Sequence, residues 1–315
     1  MGGPKALAQV LLLSTIVCTS TLIAATSTTR SSRTYENRTT NNATAPNTTY
    51  QGTCRPVNLK DVTSTISDAV DTLTGKLSCD RGNGTSLPQD KSRMLEQNLR
   101  RIVESTLNVF FNLGTNQSES NVLDIFGVLD SLSLGNHSDP QFIRLWFSIK
   151  MAPLLPYVDK NFLSQLSSQN FSCSSFQELI KGMSDELVTA VRVDRRLIYT
   201  DFIKVYLFRK NSPDPGCTAN VEGSEEWLLT NFGEFSSFAS LEDLKKINNN
   251  FSATEVVEHL SPNQKAELIL DPDSSALDNE TIVRDVFSSL TESPDEEQLD
   301  QFFETFCRLA MQVNA

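Results

Sequence analysis

Beyond about residue 59 the apolar residues of this chain recur at helical spacing. Leu95, Leu99, Ile102, Leu107 and Phe110 return at steps of three to five residues, and Val122, Ile125, Phe126, Leu129 and Leu132 do so again after a break bearing Gly and Asn. A period near 3.6 gathers such residues on one helix face. Phe142, Leu145, Trp146 and Ile149 form a third stripe, predicted to end at Pro153 and Pro156 because a helix interior tolerates proline poorly. Leu299, Phe302, Phe303, Phe306 and Leu309 form another, read as a core stripe.

Helix-start signals punctuate the second half. Ser174 with Gln177, Ser252 with Glu255, Ser261 with Gln264 and Ser293 with Glu296 fit the capping box, in which side chains satisfy two orphan backbone donors. Pro262 and Pro294 occupy first helical positions, and Asp295, Glu296 and Glu297 complement a helix dipole better than they suggest acid–base catalysis. The stretch from Asn211 to Cys217, with two prolines and Gly216, reads as a loop between helical sets. No clean alternating run of β-branched residues lies between turn signals. The expectation is an all-α fold of short amphipathic helices stacked as an α-solenoid-like superhelix, although no fixed repeat period is visible.

The residues before this helical region read differently. Lys5, the apolar run Leu7 to Val17 and small residues up to Ala25 have the layout of a secretory signal peptide over 1–25, too short to span a membrane. Residues 26–53, rich in Thr, Ser and Asn, cannot bury enough apolar surface to offset chain entropy and are expected to form a disordered, glycosylated stalk. An N-terminal helical region over 54–138 and a second over 139–315 complete the expected organisation, with no transmembrane segment. The net charge of −12 becomes −13 once Lys5 leaves with the leader, which argues against nucleic acid and anionic membranes as partners. Arg192, Arg195, Arg196, Lys204, Arg209 and Lys210, interleaved with Tyr199, Phe202, Tyr206 and Phe208, suggest a polyanion patch, but fit the solvated face of a helix better.

Nine Asn-x-Ser/Thr triplets, at Asn37, Asn42, Asn47, Asn83, Asn116, Asn136, Asn170, Asn250 and Asn279, agree with the leader in predicting luminal processing. Asn211 is excluded by the proline two residues on. Glycosylation at Asn136, Asn170, Asn250 and Asn279 requires each to lie on a loop or an exposed helix start. Of the six cysteines Cys18 belongs to the leader, and five remain. The preferred pairs are Cys54 with Cys79 and Cys173 with Cys217, leaving Cys307 free, buried or joined to a second chain.

The stretches NFGEFSSFASLEDL (231–244), NNFSATEV (249–256) and LSPNQKAEL (260–268) resemble the mesothelin, stereocilin and otoancorin group of extracellular helical-repeat glycoproteins. WFSIKMAP (146–153) and NFSC (170–173) look like parts of the same module, so the resemblance covers roughly residues 140–310. It implies cell-surface or matrix adhesion without catalysis. Members of that group are often lipid-anchored; residues up to Ala315 supply no hydrophobic tail, and on that point the chain departs from them.

Catalytic motifs are missing from the sequence. His137 and His259 are its two histidines; the first lies inside a sequon and the second is predicted near a helix end. No CxxC, HExxH, GxGxxG, GxxxxGK or GxSxG occurs. Asp271 and Asp273 open like a calcium loop, but Ala276 stands where glycine is needed and Ile282 where a bidentate glutamate is needed. The expectation is a non-enzymatic secreted or surface glycoprotein without cofactor or metal, binding an extracellular protein or glycan through a sequon-free face formed by residues 174–209. The alternative is a soluble carrier of an apolar ligand between helices, lined by some of its 18 Phe residues.

Overall fold

The described residues are mainly helical, and among them no strand occurs. The computed structural model describes residues 59–82, 87–113, 122–130, 132, 136–187, 193–209, 215–218, 223–274, 276, 279–291 and 296–313. All fall within one packed unit, Arg55–Ala315. The leader and the stalk lie outside the described residues. No described helix is long and apolar enough to cross a membrane.

The first two helices, α1 (Leu59–Gly82) and α2 (Gln89–Leu113), pack on each other. Helix α1 buries Val70 and Leu77 together with Thr63, Ser67, Thr74 and Ser78. Hydroxyls are tolerated there because they find acceptors: Thr74 Oγ1 donates to Val70 O at 2.8 Å and Ser78 Oγ to Asp139 Oδ2 at 2.7 Å. On α2 the buried stripe is Leu99, Val103, Leu107 and Phe110. Ile102, expected inside, is 45% exposed, because the inner face follows 99, 103, 107 and 110 and Ile102 stands beside it. The next stripe is not one helix. After α3 (Val122–Ile125) the chain turns at Gly127, whose φ of 53° favours glycine, yet Val122, Phe126 and Leu132 remain buried.

Pro153 and Pro156 do not end the next helix. From α4 (Pro140–Trp146) the chain passes without a break into a π-helical turn, Phe147–Met151, and a 3-10 segment, Ala152–Tyr157, that takes in both prolines. A second rod is built likewise, from α7 (Arg195–Ile198) through a π turn, Tyr199–Ile203, into α8 (Lys204–Leu207). Between the rods lie α5 (Lys160–Ser167) and α6 (Cys173–Leu187). Gly182 of α6 meets the first rod so closely that an added Cβ would fall 2.5 Å from Phe147 Cδ1. Both rods start on an aspartate cap, Asp139 and Asp194, and both carry a lysine paired with an aspartate from another helix.

The remainder comprises α9 (Ser224–Phe232), α10 (Leu241–Ile247), α11 (Pro262–Leu270), α12 (Glu280–Thr291) and α13 (Glu296–Val313), with 3-10 turns between several of them. Helix α11 packs chiefly on α13. On α13, Phe302 is buried but Phe303, read as core, is 48% exposed. Helix lengths run from 4 to 25 residues, and α1 packs on both α2 and α4, so no uniform two-helix repeat recurs among the described residues. Helix α1 also packs on α4, so contacts run across residues 138 and 139.

Of the expected capping boxes, Ser261 with Gln264 forms in full. Helix α6 is capped two positions earlier than expected, by Ser172 in place of Ser174: Ser175 N donates to Ser172 Oγ at 3.2 Å. Ser252 makes no side-chain cap, and Ser293 lies outside the described residues. Gln264, 1% exposed, does more than cap, since its Nε2 donates to Ser236 O and Ala239 O, both at 2.8 Å. The LSPNQ segment is thus a clamp that joins the start of α11 to the turn before α10. Gln264→Ala is expected to lower stability by about 2 kcal/mol, since it removes a cap and orphans buried carbonyls. A chemical denaturation midpoint within error of wild type would refute that role.

Candidate functional site

Among the described residues, surface grooves bring together residues from separate helices. The first, of about 590 Å³, lies between α9, the turns over residues 253–259 and α12, and is lined by Glu225, Glu255, Glu258, Asp285 and His259. His259 ends a 3-10 turn, and its Nε2 stands 2.9 Å from Glu225 Oε1. Both side chains are well exposed, so the contact contributes little to stability.

The second groove, about 450 Å³, joins α10, α11 and α13, with Leu241, Leu270 and Leu309 beside Lys245, Glu267 and Asp271. Burial pushes the Glu267 carboxyl upward, and the hydrogen bond from Leu241 N at 2.7 Å works against that shift. Asp271 and Asp273, the opening of the calcium-like loop, are engaged locally. Lys245 donates to Asp271 Oδ2, while Asp271 Oδ1 accepts from Asp273 N at 3.0 Å.

The third groove, about 410 Å³, runs between α6 and α9 and is lined by Gln177, Glu178, Lys181, Ser184 and Asp185 facing Leu229, Thr230 and Gly233. Its floor is fixed by Gln177 Nε2 donating to Asn231 Oδ1 at 3.2 Å and by Glu234 N donating to Ser184 Oγ at 3.3 Å. Gly233, at φ 50°, brings the backbone so close that a Cβ would fall 2.3 Å from Ser184 Oγ. Leu229, 41% exposed, offers an apolar contact between flanking charges.

The basic residues of 195–209 do not form one patch. Arg195 Nη2 donates to Leu187 O at 2.7 Å, Lys204 pairs with Asp243, and Arg209 Nη1 donates to Gln169 O at 2.9 Å. Arg196 is exposed; Arg192 and Lys210 lie outside the described residues. The interleaved aromatics are mainly core: Tyr199, Phe202 and Tyr206 are buried, whereas Phe208 is 37% exposed. Tyr199 O–H donates to Asp243 Oδ2 at 3.0 Å, and burial, followed by the Asp243 charge, pushes its phenol upward. Tyr206 donates to Phe171 O and stacks on Phe176 at 4.1 Å.

Cys173 and Cys217 are joined. Cys79 is exposed and unbonded among the described residues, and its expected partner Cys54 lies outside them. Cys307 is exposed and likewise unbonded. Asn170, Asn250 and Asn279 are all exposed. Asn279 Oδ1 accepts from Thr281 N at 3.0 Å, which leaves the Nδ2 that would carry a glycan pointing away from that bond. Asn136 sits in a 3-10 turn with its side chain outside the described residues, as are Asn37, Asn42, Asn47, Asn83 and Asn116. His137 Nδ1 lies 3.4 Å from Leu132 O.

Sequence reasoning passed over the most deeply buried charge. Lys150, in the π turn, is 1% exposed, and its Nζ donates to Asp71 Oδ2 at 2.6 Å and to Gly127 O at 3.2 Å. A lysine inside the apolar run WFSIKMAP was the available signal. Burial pushes the Lys150 ammonium down and the Asp71 carboxyl up, so desolvation outweighs mutual attraction at each. Among the described residues no three or more His, Cys, Asp or Glu gather as metal ligands. Comparison with models of known families, with curated proteins and with solved structures found no match to this chain.

Proposed function

We propose that this protein is a secreted or cell-surface, N-glycosylated helical protein that acts without catalysis, in adhesion, extracellular matrix or coat assembly. The observation that carries the reading is the distribution of acceptor sites. Asn170, Asn250 and Asn279 are exposed, while the segments that line the groove between α6 and α9 contain no sequon. Sugars at those positions leave that groove available for a protein contact. The leader-like first 25 residues, the Cys173–Cys217 bridge and the mesothelin-like motifs all support an extracellular setting. The groove suits a partner segment that presents both charge signs around one apolar side chain, matching Lys181, Asp185 and Leu229.

The test expresses the full chain in secreting animal cells and coats beads with the product. A mass drop on N-glycosidase treatment and binding of the beads to matrix or cells are expected. Lys181→Glu with Asp185→Lys should weaken that binding about tenfold through lost charge complementarity. Retention of an uncleaved chain in the cytosol without sugar would overturn the extracellular assignment. Unchanged binding by the doubly reversed variant would overturn the choice of face.

A further inference from the structure

Helix α13 carries an apolar stripe that the described residues of its own chain leave uncovered. Phe303 is 48% exposed, Met311 is 70% exposed, and the exposed Cys307 lies midway between them. Steps of four residues put all three on one side of the helix. Phe303 is held from behind by ring contacts: Phe302 at 5.3 Å, and Phe287 of α12, itself 37% exposed, packed on Phe302 at 5.5 Å. Phe303 thus has a fixed support behind it, and Glu304 and Arg308, both exposed, border one side of the stripe.

We infer that this stripe is the contact surface for a second copy of the same chain, the two α13 helices running antiparallel and joined by a Cys307–Cys307 disulfide. The inference rests on the extracellular setting proposed above. Three features on α13 are self-complementary about Cys307. A two-fold axis there sets Phe303, about 6 Å to one side, level with Met311 of the second copy, a favourable sulfur–aromatic pairing. The same axis brings Glu304 within about 3 Å, along the helix, of the level of Arg308 of the second copy. A parallel pair would instead set Glu304 against Glu304. The stripe presents three exposed side chains, where a stable dimer engages about 20 to 30 residues a side, so the covalent bond supplies what the contact does not.

Bond formation is an exchange. Two Cys307 thiols give up two protons and two electrons as the S–S bond forms, and an oxidised disulfide of the dithiol oxidoreductase class takes them up as two thiols. In vitro, oxidised glutathione serves as that acceptor.

The secreted full chain should migrate as a dimer without reductant and as a monomer with it. Cys307→Ser should give monomer in both conditions, while Cys79→Ser should leave the dimer. With Cys307 intact, Phe303→Asp should slow cross-linking by oxidised glutathione about tenfold by lowering the effective thiol concentration. Register is read in a Cys307→Ser background: mixing Phe303→Cys chains with Met311→Cys chains should give the mixed dimer in preference to either homodimer. A monomer whose Cys307 stays titratable after glutathione oxidation, or a Cys307 bonded to a different protein, would overturn the inference. So would a dimer that persists in Cys307→Ser. Each readout uses purified chain alone, so its failure is separable from a failure of bead binding.

Discussion

Asp71→Ala is expected to lower the unfolding free energy by about 3 to 5 kcal/mol, because it strands the Lys150 ammonium in the interior. Lys150 has a side chain only 2% exposed, and among the described residues Asp71 is its one carboxylate partner at hydrogen-bonding distance. The Gly127 carbonyl that remains would not neutralise the charge. Replacing both partners is a different experiment. Desolvation already disfavours the ionised form of each, so Lys150→Met with Asp71→Leu should be neutral or stabilising. Denaturant titrations of wild type, the two single variants and the double variant form the cycle. Equal losses in the single and double variants would show that the pair itself, and not an uncompensated charge, holds α1 to the first rod.

The second large effect concerns the Cys173–Cys217 bridge, which closes a loop of sequence separation 44. Loop-closure entropy alone predicts a loss of about 4 kcal/mol when both cysteines become Ala. The site adds a local contribution, since Trp227 Nε1 donates to Cys217 O at 2.9 Å and Cys173 opens α6, one wall of the sequon-free groove. The doubly substituted chain should unfold at markedly lower denaturant, and wild type in reductant should match it. If wild type keeps its midpoint in reductant while thiol titration shows the bridge broken, the entropic account fails.

Several features were legible from residue order. Apolar spacing identified α2, the helix from Pro140 and α13 as helices, because a 3.6 period leaves its mark wherever one face is buried. Spacing also favoured Cys173 with Cys217. The Ser261–Gln264 box was readable because both members of that cap act within four residues of each other. The same local logic missed Asp139, Asp159 and Asp194, which cap three helices, because a lone aspartate cap has no reciprocal residue to complete a box. It also placed Pro153 and Pro156 as terminators, although a 3-10 segment accommodates both.

By itself the sequence determined that the chain is helical, where its strongest start signals lie, and which asparagines are eligible for sugar. All three depend on neighbours within a turn or two. Only the tertiary structure decided which side of each stripe is covered: Val103 lies inside and Ile102 outside, Phe302 inside and Phe303 outside. Only it could show that Lys150 pairs with an aspartate 79 residues away, that Arg195 and Arg209 serve backbone carbonyls, and that an α6–α9 groove exists. The physical reason is the same in each case. Adjacent positions on a helix differ by about 100° around its axis, and both can be apolar; what lands on top of them is set by residues far off in the chain.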